Sequence, residues 1–534
     1  MKRYAFTKWI LLSVLLSSGL LISSARGEGN DFNPPPALLT ALILGDGAQA
    51  TAAAEKLKNY PADQLAEAIR GYTDYPDPVV YGGWSKAAHF ISDTLTAPFW
   101  LYIPLSYAPS RAATPVIMWL HGGVSRPEFL EMEKEDQAEH PLRVICEVEG
   151  WLGVYPLGKV GLTWWDEAGM AHLNWIVRYI KHSFNVDDDR IAVCGFSDGA
   201  SAGFHLAMVE PTDYSLFFPW SGHLAVGSLV TGKEAYLPNM TNRFIFATNG
   251  GKDELYPTER MRPLLALAQE AGAKLWFADY KDAHHDFVYA GEELPRFIRR
   301  VHHYARPEFQ PGLVWETCDL THNQVDWLEI TGLDTIQPAA DWQRDYNLEL
   351  EDNRITIGFM HDRAYEGNGV KVQSVSEGDD IPAVKMGLAK GDIVIAVDEY
   401  PVADIKSLSE TKSHYQRGDN FSMTIQRGTE TLTLKGQFPP LGKFKALARG
   451  RRSGIVKAGR LGNRFDIEAS RVRSFALKLH PDMIQFNQPV VVIVNGQERF
   501  NRIVDQDSEF MLNNFVRNRD KTMLWAARIE IILE

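Results

Sequence analysis

Four stretches of this chain are apolar at nearly every position instead of at alternate ones: 114–120, 190–194, 243–248 and 274–280. Each has the length of a strand. A strand that is apolar on both faces is one with both faces covered, as in a parallel sheet flanked by helices. Helical spacing follows the second run, over 200–208. Upstream, residues 37–70 are rich in Ala, Leu, Lys and Glu, with breaks at Gly45-Asp46-Gly47 and Pro61, and read as two or three short helices. They read equally as a cap on the next domain or as a spacer. From 355 the texture changes. Residues 369–375 alternate as a half-buried strand does, and 313–317, 325–330, 465–469, 474–479 and 490–500 also read as strands, the last folded about Asn495-Gly496. Residues 508–518 look helical and 523–533 close the chain as a strand.

The loops after the four apolar runs carry the chemistry. The 190–194 run enters Gly195-Phe196-Ser197-Asp198-Gly199, and a helix follows. Strand, G-x-S-x-G, helix is the pattern of a nucleophile elbow, in which the serine sits on a sharp turn with no room for flanking side chains. The 114–120 run ends in His121-Gly122-Gly123, a loop whose backbone N–H groups suit an oxyanion hole, with the N–H of Asp198 as the second donor. The 243–248 run leads to Asp253, the favoured acid because it is nearer the strand end than Glu254. The 274–280 run leads to His284-His285-Asp286-Phe287, where the aromatic residue two positions on favours His285 over His284 as the base. The order Ser, Asp, His is that of the α/β-hydrolases.

These pieces, with Trp164-Trp165-Asp166, resemble the compact secreted esterases of the dienelactone-hydrolase, phospholipase/carboxylesterase and polyhydroxybutyrate-depolymerase-like group. The resemblance covers roughly 95–308. It implies an α/β-hydrolase fold with a mostly parallel, doubly wound sheet. Trp164 and Trp165 read either as substrate-binding faces for sugar or phenyl rings or as core. A second resemblance covers roughly 350–438, where Ile381-Pro382-Ala383 through Lys390-Gly391-Asp392 to Asp398 is similar to a bacterial PDZ domain. It implies a groove between a strand and a helix, with Ile357-Gly358-Phe359 as the loop that holds a peptide's C-terminal carboxylate through backbone N–H groups.

The resulting layout is a signal peptide at 1–25, a helical segment at 26–94 and a catalytic domain at 95–308. A β-rich domain made of 309–350 and 439–534 follows, with the PDZ-like domain at 351–438 inserted. The leader reading rests on Lys2, Arg3 and Lys8 before an apolar stretch and Ser23-Ser24-Ala25. It predicts a bacterial protein exported to the periplasm or medium, without an integral membrane segment after the leader is removed. A net charge of −13 argues against nucleic acid as a partner. The exception is the run Arg449, Arg451, Arg452, Lys457, Arg460 and Arg464, read as a solvated linker or a patch for an anionic polymer. Three widely spaced cysteines imply neither a disulfide framework nor a thiolate metal site. The expected activity is hydrolysis of a carboxylic ester, on a carbohydrate or polymer, with no metal or organic cofactor. Two other readings share these features: a prolyl-oligopeptidase-like serine peptidase, and an inactive binding protein on a hydrolase fold.

Overall fold

The structure, a computed structural model, describes residues 33–286, 292–362, 364–378 and 380–533; the leader reading and Phe287 lie outside them. The continuous apolar runs form one eight-stranded sheet. Its strands are β1 (Gly83–Ser92), β2 (Leu95–Ile103), β3 (Thr114–Leu120), β4 (Leu152–Pro156), β5 (Val186–Phe196), β6 (Leu216–Trp220), β7 (Phe244–Gly250) and β8 (Leu275–Tyr280). They lie in the order β1-β2-β4-β3-β5-β6-β7-β8. The first two are antiparallel to their neighbours, and every pair from β4 to β8 is parallel. That order and direction define the α/β-hydrolase fold. The unbroken apolar runs are explained by helices on both faces: Val116, Met118, Val193 and Phe217 pack into one core, and Ile117, Trp119, Cys194 and Phe218 into another. One expectation is corrected. The segment assigned to N-terminal helices up to 94 contains β1, because this edge strand is half exposed and mixes polar with apolar residues, so no apolar run marks it.

The β-rich region is built from two sheets over one core containing Trp315, Trp327, Phe465 and Phe475. Gly312–Thr317 pairs with Gly454–Leu461, and Leu328–Leu333 with Val472–Leu479, so strands on either side of the PDZ-like segment share both sheets. Asn495 and Gly496, both at positive φ, make the tight turn between Val490–Val494 and Gln497–Arg502.

The two ends of the insertion are paired with each other. Leu348–Asp352 runs antiparallel to Gly442–Leu447, with Leu350 opposite Phe444. The inner face of this ribbon, Leu348, Leu350, Phe444, Ala446 and Leu447, packs into the catalytic domain's core. The linker reading of the 449–464 cations is corrected as well. The Arg449 side chain is buried against Glu316 at 2.9 Å, and Lys457, Arg460 and Arg464 lie on strands. Beyond the ribbon, five strands (Phe359–His361, Val370–Val375, Ile393–Val397, Asn420–Arg427 and Glu430–Gln437) enclose a separate core with the helices Pro382–Lys385 and Ile405–Lys412.

The N-terminal helices Pro36–Leu44, Gly47–Leu57 and Ala62–Arg70 lie against the C-terminal helix Ser508–Asn518, sharing a core of Leu42, Leu57, Leu65, Met511 and Phe515. The chain after that helix is clamped to the catalytic domain. Asp520 is buried and accepts from Lys181 Nζ at 2.8 Å and from Arg306 Nη1 at 2.8 Å. No described helix is long and apolar enough to cross a membrane.

Candidate active site

The carboxyl ends of β5, β7 and β8 bring three of the residues singled out by sequence to one point. Ser197 follows β5 with φ 57° and ψ −115°, a conformation an ordinary residue adopts only when its surroundings hold it there. Those surroundings explain the flanking glycines. A Cβ on Gly195 would overlap the Gly199 carbonyl, and one on Gly199 would overlap the Leu120 carbonyl. The helix Asp198–Val209 is buried from Gly199 onward and backs the turn.

Ser197 Oγ lies 3.0 Å from His285 Nε2, and His285 Nδ1 lies 2.8 Å from Asp253 Oδ2. A carboxylate can only accept, so Nδ1 carries the proton and Nε2 is free to take one from the serine. The other Asp253 oxygen accepts from the N–H groups of Leu255 at 2.9 Å and Tyr256 at 2.8 Å. Burial pushes the Asp253 carboxyl up, but the hydrogen bonds from His285 and the two backbone amides outweigh it and hold it below the usual range. Asp253 is 3% exposed. The neighbouring pair behaves differently. His284 Nδ1 lies 2.8 Å from Glu254 Oε1, and both side chains are more than half exposed.

The glycine loop after β3 lies against the elbow: a Cβ on Gly122 would sit 2.8 Å from that of Ser197. The Asp198 carboxylate accepts from the N–H of Val124 at 2.9 Å and ties the loop to the residue after the serine. His121 holds it from below, donating from Nδ1 to the Gly122 carbonyl (2.8 Å) and accepting at Nε2 from the N–H of Gly158 (3.0 Å). Both nitrogens are used by the neutral ring, and burial lowers its pKa. Gly122 thus lies against the nucleophile, Gly123 follows it in the loop at φ +72°, and Asp198 follows the serine directly.

The tryptophans do not join them. Trp164 is 0% exposed and its indole N–H donates to the His121 carbonyl at 2.9 Å; Trp165 is 4% exposed. Both are core, so the substrate-binding assignment is corrected: neither has surface to offer a ligand. Pattern reading also missed several neighbours. Ser201 Oγ donates to the Ser197 carbonyl at 3.2 Å and accepts from the N–H of His223 at 3.0 Å. The Tyr256 ring lies 5.7 Å from that of His285 and 5.9 Å from that of His223. Burial pushes His223 down to about 4. Ser201 sits one helical turn past the nucleophile, a spacing that sequence offers; His223 and Tyr256 carry no such signal. Among the described residues no group of three or more His, Cys, Asp or Glu side chains is arranged to hold a metal ion.

In the inserted module, Ile357 is buried and its carbonyl accepts from the N–H of Ala383 at 2.8 Å. Gly358 turns the loop at φ +90°, and its carbonyl accepts from the N–H of Ser376 at 2.9 Å. Phe359 opens the outermost strand of the sheet, which pairs on one side with Val370–Val375. The Ile357 side chain is part of the module's core.

Comparison with known proteins gives three kinds of likeness. A PDZ domain model matches residues 348–436. Over 127 residues, 23% of this chain, the sequence is 29% identical to the bifunctional acetylxylan esterase/xylanase XynS20E of Neocallimastix patriciarum; the match spans 18% of that protein's length. Among solved structures, a thermostable esterase is similar at 18% identity, with 42% of this chain and 64% of that one covered and a TM-score of 0.34. A ferulic acid esterase is similar at 16% identity over 41% of this chain and 98% of that one, with a TM-score of 0.34. The acylaminoacyl peptidase of Pyrococcus horikoshii is similar at 16% identity over 41% of this chain and 40% of that one, with a TM-score of 0.32.

Proposed function

We propose that the protein is an exported serine hydrolase of carboxylic esters, with an inserted module that captures peptide C-termini. The observation that carries the reading is the unbroken relay from Ser197 Oγ through His285 to Asp253, at 3.0 and 2.8 Å. Ser197 attacks the acyl carbon while His285 takes its proton. The tetrahedral oxyanion is held by the N–H of Asp198 and the loop of Gly122 and Gly123. His285 then returns the proton to the leaving alcohol, and a water repeats the sequence on the acyl-enzyme. Asp253 keeps the imidazole in the competent tautomer and stabilises its charged form. The acetylxylan esterase likeness supports esters carried on a carbohydrate as the substrate class, and the Lys/Arg-led apolar leader supports export. In the inserted module, Ile357, Gly358 and Phe359 offer backbone to a peptide carboxylate, and the outer edge of Phe359–His361 offers a strand partner.

The test is labelling by a fluorophosphonate, together with turnover of p-nitrophenyl acetate and of a dipeptide anilide. Labelling of the native chain, none of Ser197→Ala, and turnover of the ester alone are expected. Preference for the anilide would replace the esterase by a peptidase. An unlabelled native chain would leave a binding protein.

A further inference from the structure

Beside the triad, on the far side of Tyr256, lies a cavity of about 390 Å³. One wall belongs to the catalytic domain and includes Val226, Leu229, Leu255 and Tyr256; the other belongs to the ribbon that carries the PDZ-like module and includes Leu350 and Phe444. We infer that this cavity is the specificity pocket for the larger apolar group of the ester, and that Leu350 and Phe444 complete it from outside the catalytic domain. The inference rests on the ester-hydrolase reading and adds to it the size and polarity of the group that is selected.

Three observations carry it. First, the pocket and the site share two neighbours, Tyr256 and His223. Tyr256 lines the pocket, presents its ring 5.7 Å from that of His285, and supplies a backbone N–H to Asp253 at 2.8 Å. His223 also lines it and donates its backbone N–H to Ser201, whose hydroxyl bonds the carbonyl of the nucleophile. A group attached to a carbon held at Ser197 therefore enters the cavity past one aromatic ring. Second, the rim is apolar and uncovered. Leu229 and Leu255 are 64% and 66% exposed. Exposed apolar side chains gathered about a concavity mark a binding site, whereas scattered ones do not. Third, of the three cations that line the cavity two have partners, and the third, Lys445, is exposed. Arg354 forks onto Asp352, at 2.7 and 3.1 Å, and lies 4.8 Å over the Phe444 ring; Arg260 donates to Asn353 at 2.9 Å. The Arg260–Asn353 bond ties the ribbon to the catalytic domain, and Val226, Leu229, Leu255, Leu264, Leu350 and Phe444 give the cavity an aliphatic and aromatic lining. Its volume suits one aromatic ring or a medium acyl chain, near the lower end of the range for small-molecule sites.

The test uses the full chain and three esters: ethyl acetate, ethyl hexanoate (a larger acyl group) and 2-phenylethyl acetate (a larger alcohol). Phe444→Ala and Leu350→Ala should each lower kcat/KM on the order of tenfold for one of the larger esters, through KM. Turnover of ethyl acetate and the rate of fluorophosphonate labelling should stay within about twofold of native. Which larger ester suffers assigns the pocket to the acyl or the alcohol side. Because truncation in the ribbon risks the packing beneath it, Leu229→Trp supplies an independent variant. It fills the mouth from an exposed position and should exclude the same larger ester while sparing ethyl acetate. If all three esters are unaffected, or all three fall together, the pocket does not select substrate and the inference is overturned. If the native chain neither labels nor turns over any ester, the ester-hydrolase reading itself has failed, and the pocket assignment falls with it.

Discussion

Replacing Asp253 by Asn separates a relay that works through proton position from one that merely fills space. The side chain keeps its shape, so the change acts on hydrogen bonding alone. Asp253 Oδ1 accepts two backbone N–H groups, from Leu255 and Tyr256, and only the amide oxygen of Asn can take that place. The amide nitrogen is then forced to the other position, where it faces His285 Nδ1 and presents a hydrogen to it. A neutral imidazole answers by accepting at Nδ1 and carrying its proton on Nε2. That is the nitrogen 3.0 Å from Ser197 Oγ, and in this tautomer it cannot accept the hydroxyl proton. Loss of one ordinary hydrogen bond would cost about 1 kcal/mol, or about fivefold in rate. Reversal of the tautomer costs far more: kcat should fall about 10⁴-fold, equal to about 5.5 kcal/mol of transition-state stabilisation. The assay is kcat for p-nitrophenyl acetate, with the urea midpoint measured alongside to show that the fold is kept. Asp253→Ala frees the ring to choose its tautomer and should be no worse than Asp253→Asn. A fall of tenfold or less in Asp253→Asn would refute the argument, as would Glu254→Gln being the more damaging change.

Three other outcomes are expected. His285→Ala should abolish ester turnover, while His284→Ala should stay within about threefold because its contact with Glu254 is exposed; the reverse pattern would move the base to His284. Stability should fall steeply with acid. Burial lowers His172 and His205 to about 3 and His480 to about 4, and all three are at most 1% exposed. The folded chain keeps them neutral while the unfolded chain protonates them. Their contribution is therefore present above the ordinary histidine pKa and lost as pH falls toward the folded values. At pH 5 the loss is about 2 kcal/mol each, from about 1.5 pH units at 1.36 kcal/mol, and about 6 kcal/mol together. A urea midpoint unchanged between pH 8 and pH 5 would contradict this. Finally, Asp520→Ala removes the carboxylate that Lys181 and Arg306 share, while Asp213 and Asp188 stay on Lys181 and Asp189 on Arg306, so it should destabilise by about 1.5–3 kcal/mol; an unchanged urea midpoint would show the clamp to be dispensable.

What the sequence made legible follows from burial. The runs that became β3, β5 and β7 are covered on both faces, so they stand out as unbroken apolar stretches; β8, at the sheet edge, is only part-buried, and the chemistry lies in the loops after these strands. The ribbon shows the opposite case. Leu348, Leu350, Phe444 and Ala446 alternate with Glu349, Glu351, Lys443 and Lys445, a proper strand pattern with one buried face. It reads as charged joins because each half is short and its partner lies about ninety residues away. Arg449 was hidden for the same reason. A run of cations looks solvated until Glu316 and Glu234, from distant parts of the chain, are brought against it. The tryptophans show the limit of residue type as a guide. Trp164 has the face a sugar would stack on, but its indole N–H is needed beneath the His121 carbonyl, and only the packing decides between the two uses.

The site therefore has two halves of different rigidity. Ser197 and the proposed oxyanion loop are embedded: the elbow sits between β5 and a helix buried from Gly199 onward, and the loop is pinned by His121 and by Asp198. The acid arm is built on the surface that meets the inserted module. Asp253 is held by the backbone of Leu255 and Tyr256, and the helix Thr258–Glu270 follows at once. The ribbon packs into the same core as that helix's Met261, Leu264 and Leu265, and Arg417 of the module reaches back to bond Asp352 at 3.1 Å and the carbonyls of Arg354 and Pro440 at 3.2 and 3.1 Å. Tyr256 thus stands between the ribbon and the acid, lining a cavity with Leu350 and Phe444 and donating its N–H to Asp253. In the proposed relay the member nearest the ribbon is the acid, and the proposal gives that acid the choice of which nitrogen of His285 carries the proton.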